Sequence, residues 1–218
     1  MKKILITLLF FLSFSLHLFA NDMIKVDYNY MPPMENITPV LIELYKELYA
    51  LQNFLGVSNS KITITGNIKD KRFVTFTHIV KDGKDSIFHT DTSMFPMWAD
   101  TLIISVKSMP IDSNKVKINR NYSDRWTNEN IYDIVSNKSC ILMQTSLLPN
   151  DAPNACGTDW YLTTLSEVFP IIAYSIGIPM DNDIIHYCGL RDAGVHPKLW
   201  SEKFKIKNYI YFDIKFLD

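Results

Sequence analysis

The chain has 218 residues, with 22 Lys+Arg against 23 Asp+Glu, five histidines and three cysteines. A balance this close to neutral excludes a general binder of phosphate backbones, which needs a surplus of basic side chains. The length suits one domain with a sizeable core, and seven glycines without a glycine-rich loop exclude a phosphate cradle.

Lys2 and Lys3 precede an apolar run from Ile4 to Phe19, and Ala20 supplies a small residue before a cleavage point. That is the pattern of a secretory signal over residues 1–20; if retained, the same run is long enough to act as an anchor. Its removal leaves 20 Lys+Arg against 23 Asp+Glu, a net charge of −3 on residues 21–218. No other stretch is apolar enough to span a membrane, so the expectation is an exported, periplasmic chain with no stable membrane insertion after cleavage.

Residues 21–36 contain Pro32-Pro33 and read as an extended arm. Thr38 followed by Pro39 is a helix start. Leu41, Leu44, Tyr45, Leu48, Gln52 and Leu55 then recur at helical spacing up to Gly56, a C-terminal stop. From Ser60 the period drops to two, predicting strands around Ile62 and Ile64 and over Arg72–Val80. Lys81-Asp82-Gly83-Lys84 is a turn, with Asp85–His89 as the partner strand of a hairpin. Further strands are predicted over Thr101–Ser108, Lys115–Asn119, Cys140–Thr145 and Asn208–Phe216, and a short helix over Asn128–Val135. The locally basic run Lys115, Lys117, Arg120 and Arg125 reads as a solvated face. Tyr161, Leu165, Val168, Phe169, Ile172 and Ile176 predict a second long helix over Gly157–Ile176, kinked at Pro170. Strands and helices mix without a βαβ rhythm, so the expected fold class is α+β: a single domain over 21–218 with an antiparallel or mixed sheet and two main helices.

Three chemistries compete for Cys156 and Cys188. An oxidising compartment favours a disulfide, and an odd cysteine count leaves one thiol over, with any of the three pairings open. A Cys156–Cys188 staple would close a loop of about thirty residues and contribute on the order of 3 kcal/mol, leaving Cys140 as a small buried hydrophobe. Alternatively, Cys156 at a helix start is a candidate nucleophile of a secreted cysteine-dependent hydrolase, with His186 or His196 as base and Gln144 as oxyanion donor. Metal binding by Cys156, His186, Cys188 and His196 lacks a recognised ligand spacing, so no metal or cofactor is expected. Asp181, Asp183 and Asp192 sit in turn-like surroundings. His78 and His89 flank the hairpin as sheet residues, and Trp98, Trp126, Trp160 and Trp200 read as packing or partner-contact anchors. An exported binding protein or inhibitor is a further reading.

Five landmarks stand in order along the second half: FHTDTSMFP (Phe88–Pro96) with Trp98 close behind, SDRWTNENIYDIVSN (Ser123–Asn137), NACGTD (Asn154–Asp159), IPMD (Ile178–Asp181) and YCGLRDAGVHP (Tyr187–Pro197) with Trp200 just after. In order and approximate spacing, residues 88–200 resemble the TraU family of conjugative transfer proteins, with Cys156 and Cys188 falling on cysteines of that pattern. Members are usually longer and richer in cysteine, so the resemblance implies a divergent or shortened member. It also implies a periplasmic, non-enzymatic component of a type IV secretion system. Such a component helps assemble or stabilise the mating apparatus beside other periplasmic transfer proteins and is needed for DNA transfer, while the chain's charge argues against direct binding of nucleic acid.

Overall fold

Alternating apolar side chains build most of this molecule, because a strand with one face in a core and one in water needs a period of two. The computed structural model describes residues 22–29, 38–123, 126–135, 139–143, 145, 160–179, 185–187, 190 and 194–218. The expected signal over residues 1–20 lies outside them.

The first long element after the initial strand is helix α1 (Pro39–Leu55), bounded as its sequence predicts. Thr38 is extended at the N-cap, Pro39 opens the first turn, and Gly56 closes it in the left-handed region at φ 68°. There the Gly56 N–H donates to Asn53 O and the Val57 N–H to Gln52 O. Glycine suits this position because a Cβ strains the left-handed conformation.

The strands are β1 (Met23–Asn29), β2 (Ser58–Gly66), β3 (Arg72–Lys81), β4 (Lys84–Thr92), β5 (Thr101–Asp112), β6 (Lys115–Tyr122), β7 (Trp126–Asp133), β8 (Cys140–Met143), β9 (Trp160–Thr164), β10 (Phe169–Ile176), β11 (Ile178–Pro179), β12 (Ile185–His186) and β13 (Tyr209–Leu217). A short 3-10 turn (Pro197–Leu199) runs into helix α2 (Trp200–Phe204). Six strands form one sheet in the order β7-β6-β5-β2-β1-β9, five form a second in the order β4-β3-β13-β10-β8, and β11 pairs with β12. Every pairing is antiparallel. With its helices, the fold is the expected α+β domain, dominated by antiparallel sheet.

The two larger sheets share one core. Ile24, Ile62, Ile104 and Ile118 of the six-stranded sheet belong to the same apolar cluster as Phe73, Phe169, Phe212 and Ile214 of the five-stranded one. A second cluster lies on the other face of the five-stranded sheet, where Val80, Ala173, Tyr209 and Tyr211 are covered by Leu190, Trp200 and Ile206. The segment 194–206 therefore forms a cap over that sheet, and β13 and β10 are buried on both faces.

Three sequence expectations are overturned. Of the predicted helix over Gly157–Ile176, the described residues, from Trp160 on, form two strands, β9 and β10, joined around Leu165–Val168. A strand buried on both faces is a continuous apolar run, here FPIIAYSI, and such a run also satisfies helical spacing. Pro170 does not kink a helix; it sits at the irregularity where β10 pairs with β13, a place that tolerates a missing N–H. The predicted helix over Asn128–Val135 is strand β7. Its inward positions include Asn128 and Asn130, so the alternation there is not one of hydrophobicity. Finally, 23–29 is no loose arm: β1 lies between β2 and β9, with Ile24, Val26 and Tyr28 buried.

Candidate docking site

The connection from β4 to β5, residues 93–100, is pinned at three points to the chain that surrounds it. The Ser93 N–H donates to Phe73 O at 2.8 Å, and the Ser93 hydroxyl accepts from the Phe73 N–H at 2.9 Å. The Met97 N–H donates to Lys71 O, and Met97 O accepts from the Asp70 N–H, both at 2.8 Å, while the Met97 side chain is buried. Asp100 O accepts from the Gly66 N–H at 3.0 Å, and its carboxylate accepts from the Lys69 N–H at 3.3 Å.

Between these anchors three large apolar side chains face outward: Met94 is 78% exposed, Phe95 66% and Trp98 74%. Beneath Met94 and Phe95, which rim it, lies a cavity of about 80 Å³ walled by Phe73, Met97, Leu102, Tyr122 and Trp126. Trp126 is held there by ring contacts to Phe73 at 5.4 Å and Tyr122 at 4.7 Å. Contiguous exposed apolar surface of this kind marks recognition sites. A loop already fixed by backbone hydrogen bonds loses little freedom on binding. The sequence held the signal as SMFPMW, an apolar-rich stretch without a strand or helix period.

A second cluster joins the cap to the five-stranded sheet. His78 on β3 stacks on Tyr211 of β13 at 4.2 Å, its cross-strand neighbour. Its Nδ1 lies 3.3 Å from Asp85 and its Nε2 3.4 Å from Asp213. Burial works against a charge on His78, but Asp213 and Asp85 outweigh it and hold the imidazole above its ordinary value of 6.5. His196, from the cap, accepts the Lys198 N–H on Nδ1, which assigns its proton to Nε2, 3.6 Å from Asp213. Burial lowers the His196 pKa, and Asp213 offsets this only in part. Tyr211 donates to Asp85 at 2.5 Å, and burial together with that carboxylate holds its phenol far above the usual range. Both ring nitrogens of His78 therefore face carboxylates, and neither nitrogen of His196 carries a free lone pair. The cluster ties the cap to the sheet.

A buried ion pair lies inside the sandwich. Arg120 is fully buried, donates from Nη2 to Asp91 at 3.1 Å and stands 4.7 Å over the ring of Phe212. Asp91 also accepts from Asn128 at 2.6 Å and meets His89 at 2.7 Å. This corrects the solvated-face reading for Arg120. On β6 it shares parity with Val116, Ile118 and Tyr122, all buried, whereas Lys117 on the opposite face pairs with Glu129 at 3.0 Å.

Of the tryptophans, Trp98 is exposed on the loop 93–100, Trp126 lines the cavity beside it, and Trp200 is wholly buried in the cap, donating to Val195 O at 2.9 Å. Trp160 opens β9 opposite Asp27, and His186 pairs with Ile178; their side chains lie outside what is described. Cys156, Cys188, Gln144, Asp181, Asp183 and Asp192 also lie outside the described residues. Cys140 is buried, with its thiol 3.9 Å from Val135 O. Among the described residues, no three His, Cys, Asp or Glu side chains are arranged to hold a metal ion. No protein-family model, curated protein or solved structure matches this chain.

Proposed function

We propose that this protein is an exported, non-enzymatic docking component that binds another protein through the loop 93–100. One observation carries the reading: a loop pinned at Ser93, Met97 and Asp100 holds Met94, Phe95 and Trp98 outward, the first two at the rim of an apolar cavity. Large aromatic side chains on a fixed backbone are the residue types that dominate binding energy at protein interfaces.

The finer reading is a periplasmic part of a conjugative type IV secretion system, with other transfer proteins as partners. What supports it is the ordered set of landmarks over 88–200. The first of them, Phe88–Pro96 with Trp98, is the segment that carries the exposed residues. The test is a mating assay in a donor lacking its own copy, complemented with wild type or with Phe95→Asp/Trp98→Asp. Transfer is expected to fall with the variant while export and melting temperature stay as in wild type. Full transfer by a donor lacking the protein altogether removes the conjugative reading. Full complementation by the variant removes the docking loop.

A further inference from the structure

Helix α1 carries a feature that the docking loop does not use. Leu41, Leu44, Leu48, Leu51 and Leu55 follow one another at spacings of three, four, three and four, which is the a/d repeat of a coiled-coil seam. All five are between 44% and 59% exposed, and no residue of the helix is buried. A helix of 17 residues with none of them buried gains little of the tertiary packing that usually stabilises helices, and this one exposes an uninterrupted row of leucines.

We infer that α1 is a self-association helix that pairs in parallel with α1 of a second copy. In that register every layer is leucine against leucine, since no polar residue stands at a or d. The flanking positions agree. Val40 faces the copy's Tyr45, and Glu47 faces the copy's Gln52, so no like charges are opposed. An anionic lipid surface is a poorer occupant, because the helix offers Lys46 alone against Glu43 and Glu47. The segment 146–159 is poorer too: its sequence has only Leu147 and Leu148 to set against five leucines, among two Asn, two Asp and two Pro.

Sedimentation of the full-length protein over a wide concentration range tests this, with far-UV circular dichroism on the same samples. The expected result is a closed dimer that dissociates on dilution. Leu48→Lys/Leu51→Lys should raise its dissociation constant by at least about 100-fold without changing the melting of the sheets. Asn53→Lys, at an outer heptad position, should leave the constant unchanged and shows that added charge alone is not the cause. A monomer at all concentrations overturns the inference, as does association that survives the double lysine variant or grows beyond a dimer. Dimerisation that appears only after residues 1–20 are removed identifies that segment as the occupant and overturns it too, and so does leucine-dependent binding to anionic vesicles by a monomer.

Discussion

Arg120 shows how a single buried charge shapes its neighbours. Its guanidinium has one carboxylate partner, Asp91, and that carboxylate draws Asn128 inward. Asn130 in turn donates to Asn128. Asp91→Ala strands the guanidinium in a low-dielectric core and should cost roughly 3–5 kcal/mol. Arg120→Met removes the charge and keeps apolar volume, so its loss in a urea melt should be the smaller of the two; the reverse order would contradict this account. The two histidines where the cap meets the sheet give opposite pH signatures. His78 has a raised pKa, so its contribution is complete below 6.5 and is lost as pH rises through the folded value. His196 has a lowered pKa, so the stability it confers as a neutral ring is lost as pH falls below 6.5. Melting temperatures across pH should therefore show His78→Gln converging on wild type at alkaline pH. His196→Gln should lose less than wild type on acidification.

At the scale of elements, what could be read from the sequence was whatever obeyed a single rule. Helix α1 declared itself through Pro39 and Gly56, and β2, β3, β5 and β6 through plain alternation. Strand β7 hid because two of its inward positions are asparagines, Asn128 bound to Asp91 and Asn130 to Asn128, and β10 hid because a strand covered on both faces has no polar side to show. The loop 93–100 was visible only as composition, since nothing in the sequence announces that Ser93, Met97 and Asp100 would be tied to 66–73. The β3–β4 hairpin was legible in its turn, where Asp82 and Gly83 both have positive φ, 51° and 80°, as the twist of a tight hairpin favours. Its tertiary role was not legible: a Cβ at Gly83 would stand 2.6 Å from Ser201 Oγ of α2. Gly83→Ala should cost about 1–2 kcal/mol from backbone strain, plus a steric part. Adding Ser201→Ala should recover the steric part alone. Full recovery in the double variant would show that the turn itself is unstrained.

At the scale of the whole molecule, the cap and the sandwich lean on the same sheet from opposite sides. Trp200 closes the cap against Tyr209, with ring centroids 5.7 Å apart, while the next inward residue of β13, Ile210, belongs to the inter-sheet core. Trp200→Ala should remove about 3–5 kcal/mol. Because the two cores share β13 and β10, unfolding should remain a single transition at a lower midpoint. A separate early transition confined to the cap would show that the two faces are independent.

Strand β13 is the middle strand of the five-stranded sheet, yet it is the last to appear in sequence. Lys71 at the entry to β3 meets Asp218 just past the end of β13, 147 positions away. Until Tyr209–Leu217 arrives, the β3–β4 hairpin has no neighbour to join it to β10 and β8. A nascent chain of this topology cannot complete its core ahead of its own synthesis, and long-range closure of this kind is slow. The order of its strands therefore acts as a built-in delay: the five-stranded sheet stays open until its central strand is in place.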